Sequence, residues 1–358
     1  VTPIRSLALL VITTLAMLIA LALGGCSKPA EDPGAAAVPA PSSAPAQTSD
    51  DDKPITMYFV PSMEAGEVIT SAEEIVAALE ERTGYTFDVE VPTSYIAVVE
   101  AMGAEPARAD IAWLSTFAYV LASDKYGAEI ALQVGRYGEL EYRGMFVTRK
   151  DSGIKSLEDI AGKTIAFVDP ASTSGHIYPS AMLKDRGIEP TETVFAGGHP
   201  QAMLAVYSGR TDVGCAYYSP TSDEGEIRDA RKDLLKEYPD AGEVLQIIEF
   251  TDWIPNDTVT FRRGFPAEKK DRIVQALLDY LATPEGAKAL GELYNITELV
   301  PVEDAGYDSV REKLAALGIA DESTLQALIE RNELPSDEAA GESATESAAE
   351  PVEEEPGA

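Results

Sequence analysis

The run Lys163-Thr-Ile-Ala-Phe-Val-Asp-Pro-Ala-Ser-Thr-Ser-Gly-His-Ile-Tyr-Pro-Ser-Ala-Met-Leu183 constrains this chain more than any other. It reads as a buried strand (Thr164 to Val168), a tight turn at Asp169-Pro170, three consecutive hydroxyl residues, and a helix. Ser172, Thr173 and Ser174 fall where that helix begins. The first backbone N–H groups of a helix lack internal partners, and the helix dipole places partial positive charge there. Hydroxyls beside those N–H groups make a cradle for a tetrahedral oxyanion. One hydroxyl is enough for an N-cap, worth about 1 kcal/mol, so three in a row favour the cradle. No Lys or Arg stands in it, and the grip is expected to come from hydrogen bonds rather than countercharge.

The same alternation of strand and helix runs through the globular part, as an α/β fold requires. Strands are expected at 55–60, 87–91, 111–114, 130–134 and 142–148. The pattern restarts after Ser152-Gly153, with strands at 164–168, 194–195, 212–216, 244–250 and 259–262. Between them lie helical stretches at 69–82, 94–102, 117–125, 157–160, 176–186, 200–207 and 224–238. Helices follow at 271–281, 284–293 and 308–317, and this last piece has no strands of its own to pack on. The economical arrangement returns residues after about 252 to the first unit. Lobe 1 is then 54–146 and 252–334, and lobe 2 is 147–251. A ligand is expected in the cleft beyond the carboxyl ends of the strands.

The ends are of another kind. Arg5 followed by the apolar stretch Leu7 to Leu23 reads as an export signal, too short and too near the N-terminus to favour a permanent span. Leu23-Gly24-Gly25-Cys26 resembles the bacterial lipobox, which implies cleavage before Cys26 and lipidation of it. Residues 27–53 are Ala, Pro, Ser and Asp with little to bury, a tether. From Pro335 to Ala358 there are eight acidic residues and no basic one, a tail expected to stay disordered. The net charge of −33 argues against nucleic acid as partner. Of the two cysteines, Cys26 is assigned to lipid and Cys215 to a buried apolar run. No metal site or cofactor is expected from these residues.

Five segments in register then carry a resemblance: Asp110-Ile-Ala-Trp113, Asp169-Pro-Ala-Ser-Thr-Ser-Gly175, Gly197-Gly198-His199, Leu204-Ala-Val206 with Gly209 and Asp212-Val213, and Ile254-Pro-Asn-Asp257. Over residues 54 to 300 the chain resembles the substrate-binding lipoproteins of phosphonate, phosphite and phosphate ABC transporters, which have the two-lobe type II periplasmic-binding-protein fold. The resemblance implies capture without chemistry. Two lobes close on a small phosphorus oxyanion, and the closed monomer docks on a permease driven by an ATPase. It further implies that Ser172, Thr173, Ser174 and His199 hold the head group and that Tyr95 reaches in from lobe 1. Asp257 would accept a hydrogen bond from a protonated ligand oxygen. Ser115, Gly175, Tyr217 and Tyr218 are further candidates. Amine-bearing phosphonate binders carry an acidic residue soon after the Asp-Val strand; here Cys215-Ala-Tyr-Tyr-Ser219 stands instead. That favours phosphate, phosphite or a small alkylphosphonate, on a protein anchored by lipid to the outer face of the cytoplasmic membrane.

Structural roles compete for each residue. His199 and His176 are the chain's two histidines, and His176 is expected in packing or solvent. Tyr95 can cap the core, Asp257 can close an Asx-turn after Pro255-Asn256, and Trp113 belongs to the core. A hydrolase using a cradle serine with His199 and Asp257 is the rival function, although no Gly-x-Ser-x-Gly elbow is present. A clamp for another small anion, or a sensor without transport, are the others.

Overall fold

The computed structural model describes residues 53–316. The export signal with Cys26, nearly all of the tether, the acidic tail and the part of lobe 1 after Ala316 lie outside the described residues.

In chain order the elements are β1 (Ile55–Phe59), α1 (Ala65–Thr83), β2 (Phe87–Glu90), α2 (Tyr95–Gly103), β3 (Ile111–Leu114), α3 (Thr116–Tyr126), β4 (Glu129–Arg136) and β5 (Glu141–Arg149). β6 (Thr164–Phe167), α4 (Tyr178–Asp185), β7 (Glu192–Phe195), α5 (His199–Tyr207), β8 (Val213–Tyr218), the single turn α6 (Ala241–Val244) and β9 (Leu245–Pro255) follow. The last are β10 (Thr258–Phe261), α7 (Ala267–Leu281), α8 (Pro284–Tyr294), β11 (Ile296–Pro301) and α9 (Asp308–Ala316).

The strands form two sheets. One has the order β11-β4-β10-β3-β1-β2, the other β7-β6-β8-β5-β9. β1 runs parallel to β2 and β3, and β6 parallel to β7 and β8, so each sheet keeps a βαβ heart. Antiparallel strands complete both: β10 and β11 in the first, β5 and β9 in the second. This is the two-lobe type II architecture.

Local signals end the helices as the sequence requires. Gly84 and Gly127 stop α1 and α3 at φ 75° and 70°, and their N–H groups return to Glu80 and to Ala122 and Ser123. A residue with a Cβ pays a steric cost there and glycine does not. Trp113 is core: it stacks on Phe59 at 5.8 Å between ring centres and donates its indole N–H to the Met57 sulfur.

Four expectations need correction. β5 pairs along its length with β8 and β9, so the chain passes between sheets at 137–140, not at 146. It returns at 256–257, because β9 continues to Pro255. The hairpin turn sets the first passage: Tyr137 and Gly138 both have positive φ, 55° and 81°, as tight two-residue turns demand. The charged stretch 224–238 is not a helix and holds only a 3-10 turn, Ala230–Leu234. Gly225 adopts φ 88°, and the buried Asp229 carboxylate takes the Arg231 amide and guanidinium, drawing the chain away from helical bonding. The C-terminal piece does own a strand. Asn295 at φ 58° stops α8, and β11 follows at the edge of the first sheet with Ile296 and Leu299 buried. Finally, the helix after the cradle starts late: residues Thr173–Ile177 form a π-turn before α4.

Candidate functional site

A cavity of about 50 Å³ lies where the two lobes meet, lined by Tyr95, Ser115, Ser172, Thr173, Ser174, His199, Tyr217 and Asp257 among the residues foreseen. It sits beyond the carboxyl ends of the parallel strands, where such folds place ligands. Four chain segments present their N-terminal ends to it. α2 begins at Tyr95, α3 at Thr116, α5 at His199, and the π-turn at Thr173. The partial positive charges of these ends add in one small volume.

The cradle is built as follows. Ser172 caps the π-turn by accepting the Gly175 amide at 3.2 Å, which leaves its own O–H as a donor. Thr173 Oγ1 accepts the Phe117 amide across the cleft at 2.8 Å, so its O–H is likewise available. Gly175 leaves no room for a side chain, since a Cβ would stand 2.4 Å from Val168. Ser115 is different: its hydroxyl donates to the Ala171 carbonyl at 3.1 Å and caps α3. Its proton is spent on joining the lobes.

His199 is buried, and burial followed by the Arg136 charge pushes its pKa down to about 3. The ring is therefore neutral at pH 7. Its Nδ1 accepts the Tyr217 amide at 3.3 Å, which assigns the single proton to Nε2. The imidazole is thus a neutral donor beside the cradle. Tyr95 and Tyr142 are buried lining residues whose pKa values burial drives up, so both keep their phenol protons.

Gly175 and Tyr218 do not line the cavity. Gly175 lies behind Ser172. Successive strand residues point to opposite faces, so Tyr217 faces the cavity while Tyr218 packs on Phe250 at 4.4 Å between ring centres. His176 is in packing, bonded through Nδ1 to the Pro170 carbonyl at 2.8 Å and wedged edge-on between Phe167 and Phe195.

The cradle itself holds no basic residue, as expected, but Arg136 brings a cation to the cavity that the sequence reading did not single out. It ends β4, lines the cavity, and reaches Asp257 Oδ2 at 2.5 Å, Asn256 Oδ1 at 2.6 Å and the Tyr294 carbonyl at 2.8 Å. Three of its five N–H groups are occupied, and two are left. Asp257 is thus countered by a guanidinium, and the pair brings no net charge. The available signal was a cation at the end of an apolar strand and directly before Tyr137-Gly138. Ser62, Met63, Tyr142, Tyr294 and Asn295 also line the cavity and belong to no motif singled out.

The family of ABC-transporter phosphonate periplasmic substrate-binding proteins matches residues 57–307. The chain belongs to this family. It is an extracytoplasmic substrate-binding component of an ABC transporter. The phosphate-import protein PhnD of Mycolicibacterium smegmatis is 28% identical to the binding protein over 290 residues, which cover 72% of this chain and 84% of the relative. The phosphonates-binding periplasmic protein of Escherichia coli is 26% identical over 224 residues, 60% of this chain and 62% of that one. Two solved structures share the fold. A binding protein of an ABC phosphonate transporter from Pseudomonas aeruginosa superposes with TM-score 0.66 at 21% identity, covering 82% of this chain and all of the other. PhnD1 of Prochlorococcus marinus, in complex with methylphosphonate, gives 0.64 at 17% identity, covering 75% and 99%. The relatives of the binding protein are transport proteins rather than enzymes.

Proposed function

We propose that the protein captures a small tetrahedral phosphorus oxyanion, namely phosphate, phosphite or a small alkylphosphonate, by closing its lobes and delivers it to an ABC permease. The observation that carries this reading is the size and lining of the cavity. Its volume of about 50 Å³ is far below the roughly 300–1,000 Å³ of pockets that hold drug-sized ligands. That space suits a small head group rather than an extended ligand.

The roles follow from the donors. The hydroxyls of Ser172, Thr173 and Ser174 and the first-turn amides bond the head-group oxygens. His199 Nε2–H adds a neutral donor, and Tyr95 another from lobe 1. Arg136 offers its two remaining N–H groups. Asp257 accepts from a protonated oxygen, because a carboxylate repels a bare oxyanion unless a proton lies between them. Neutral donors bind the ligand without fixing its charge, and the Arg136–Asp257 pair selects the side that carries the proton.

An export signal ending at a lipidated Cys26 would hold the protein, as a monomer, on the outer face of the cytoplasmic membrane, close to its permease. The name of the Mycolicibacterium relative supports phosphate, and the ligand of the Prochlorococcus protein supports an alkylphosphonate of the same head group. Calorimetric titration of the ligand-stripped protein with phosphate, phosphite, methylphosphonate and aminoethylphosphonate tests the reading. One or more of the first three should bind, and at 100 times its dissociation constant should stabilise the fold by about 2.7 kcal/mol. Silence across the panel overturns it.

A further inference from the structure

The cavity has a wall that is not backed by core. Ser172, Thr173, Ser174, His199, Tyr95 and Tyr142 are buried, whereas Arg136 and Asn295 are half-buried. Next to these two lies a second void, an open groove of about 770 Å³ whose lining includes Tyr137, Arg228, Lys232, Leu235 and Glu243. Two links join the voids. Tyr137 follows Arg136 in the chain, and the Lys232 ammonium hydrogen-bonds the Asn295 amide oxygen. Asn295 ends α8 in the first lobe and Lys232 belongs to the second, so one side-chain pair from opposite lobes stands between cavity and groove.

The charges around Lys232 are unequal in what they can offer. Burial and the Arg136 charge act against the ammonium, while Asp233 and Asp229 favour it. Both carboxylates are already engaged: Asp233 accepts the Tyr217 hydroxyl at 3.0 Å, and Asp229 is paired with Arg231 at 2.8 Å. The partner that Lys232 does bond is a neutral amide oxygen, a weaker acceptor for an ammonium than a carboxylate. An anionic group arriving from the cavity side improves that contact. A second cation meets repulsion at the same point.

We propose that Lys232 is a selectivity gate, admitting phosphonates whose short substituent ends in a carboxylate through the Lys232–Asn295 contact and rejecting those that end in an ammonium. The proposal rests on the reading of the cavity as a phosphorus-oxyanion site. The cavity is small, so a substituent longer than a methyl group is driven to a wall, and this wall has open space behind it. Glu226 and Glu243 also line the groove, and the attraction is therefore local. It favours a tail that ends at Lys232 over one that runs further.

Titration of the full, ligand-stripped chain with methylphosphonate, 2-carboxyethylphosphonate and 2-aminoethylphosphonate tests the gate, repeated on Lys232→Gln and Lys232→Glu. The wild type is expected to bind the carboxyethyl ligand at least about tenfold more tightly than the aminoethyl one, a difference of ~1.4 kcal/mol. Lys232→Gln should shrink that ratio below about threefold and Lys232→Glu should reverse it, with methylphosphonate affinity held within about threefold in both. Equal binding of the two tails by the wild type, preference for the amine, or a preference that survives Lys232→Gln overturns the gate alone. Loss of methylphosphonate binding in Lys232→Gln overturns it as well, because Lys232 would then act on closure. Failure of every phosphorus oxyanion on the wild type instead removes the underlying reading, and the gate with it.

Discussion

The Arg136 guanidinium meets the Asp257 carboxylate at 2.5 Å, which ties the end of β4 to the second connection between the lobes. Arg136 closes β4 just before the first passage, and Asp257 stands in the second. The pair is partly sheltered, with side-chain exposures of 13% and 23%, low enough that removing one partner strands the other. Breaking a buried pair costs about 3 kcal/mol or more. Arg136→Met should therefore lower the unfolding free energy by roughly that amount, and Asp257→Asn by less because the amide still accepts. A double-mutant cycle on these two changes should give a coupling above about 1 kcal/mol, measured by denaturant unfolding of the four proteins without ligand. Additive effects would mean that the pair is not a unit.

His199 makes stability depend on pH with a defined sign. Its folded-state pKa is depressed to about 3 from an ordinary 6.5. Above 6.5 the ring is neutral folded and unfolded, and its contribution is intact. As pH falls below 6.5 the unfolded chain takes a proton that the folded one refuses, and stability is lost down to about pH 3 at up to ~1.4 kcal/mol per unit. Asp169 and Asp233 oppose this. Burial lifts both to about 6 from 3.8, so falling pH favours the folded state between those values. Comparison with His199→Gln isolates the ring. Between pH 7.5 and 5 the wild type should lose about 2 kcal/mol relative to the variant. An equal response of both proteins would show that the ring is protonated in the folded state.

Gly144 in β5 passes under the cradle. A Cβ there would come within 2.7 Å of the Ser174 carbonyl oxygen and of Thr251 Cγ2. One of these neighbours is backbone and cannot rotate away. Gly144→Ala should displace the cradle and weaken ligand binding by about tenfold or more, while overpacking costs about 1–3 kcal/mol of stability. Calorimetric affinity and a melting curve read the two effects separately. Unchanged affinity would show that Ser174 does not hold the ligand.

Asn256 stitches the two connections together. Fully buried, it donates its amide to the Glu139 carbonyl at 3.0 Å and its backbone N–H to Leu140 at 2.9 Å, while its own carbonyl accepts from Tyr307. Asn256→Ala removes the side-chain bonds to Glu139 and Arg136 and leaves buried partners unsatisfied. A loss of about 2–3 kcal/mol follows, observed as a lower melting temperature. Asn256→Asp, which keeps the acceptor for Arg136, should lose less.

Much of this site was legible because its signals are local. Three hydroxyls before a helix, a glycine pair before His199 and a glycine after each of two helices fix backbone states within a few residues. The alternation of strand and helix follows from side-chain burial along each segment, and it led to the two sheets. Arg136 was not legible for a physical reason. Its place in the cavity depends on where β4 stops relative to a sheet that β10 and β11 complete from more than a hundred residues away. The stretch 224–238 misled because its charges suit a helix surface, while the Asp229–Arg231 contact that bends it forms around a carboxylate that only the tertiary fold buries. Tyr217 and Tyr218 could not be told apart until the register of β8 against β5 was known.

The two connections, clamped by Arg136 and Asn256, run beside the cavity rather than far from it. In the proposed closure, rotation of one lobe against the other would turn about a line close to the bound atoms. A shift of a fraction of an ångström at the cradle would then become, over the radius of a lobe, a several-fold larger travel at the outer rims. A partner that grips both rims would thus sense occupancy by a handful of atoms as a change in the distance between two handholds, without touching the cargo.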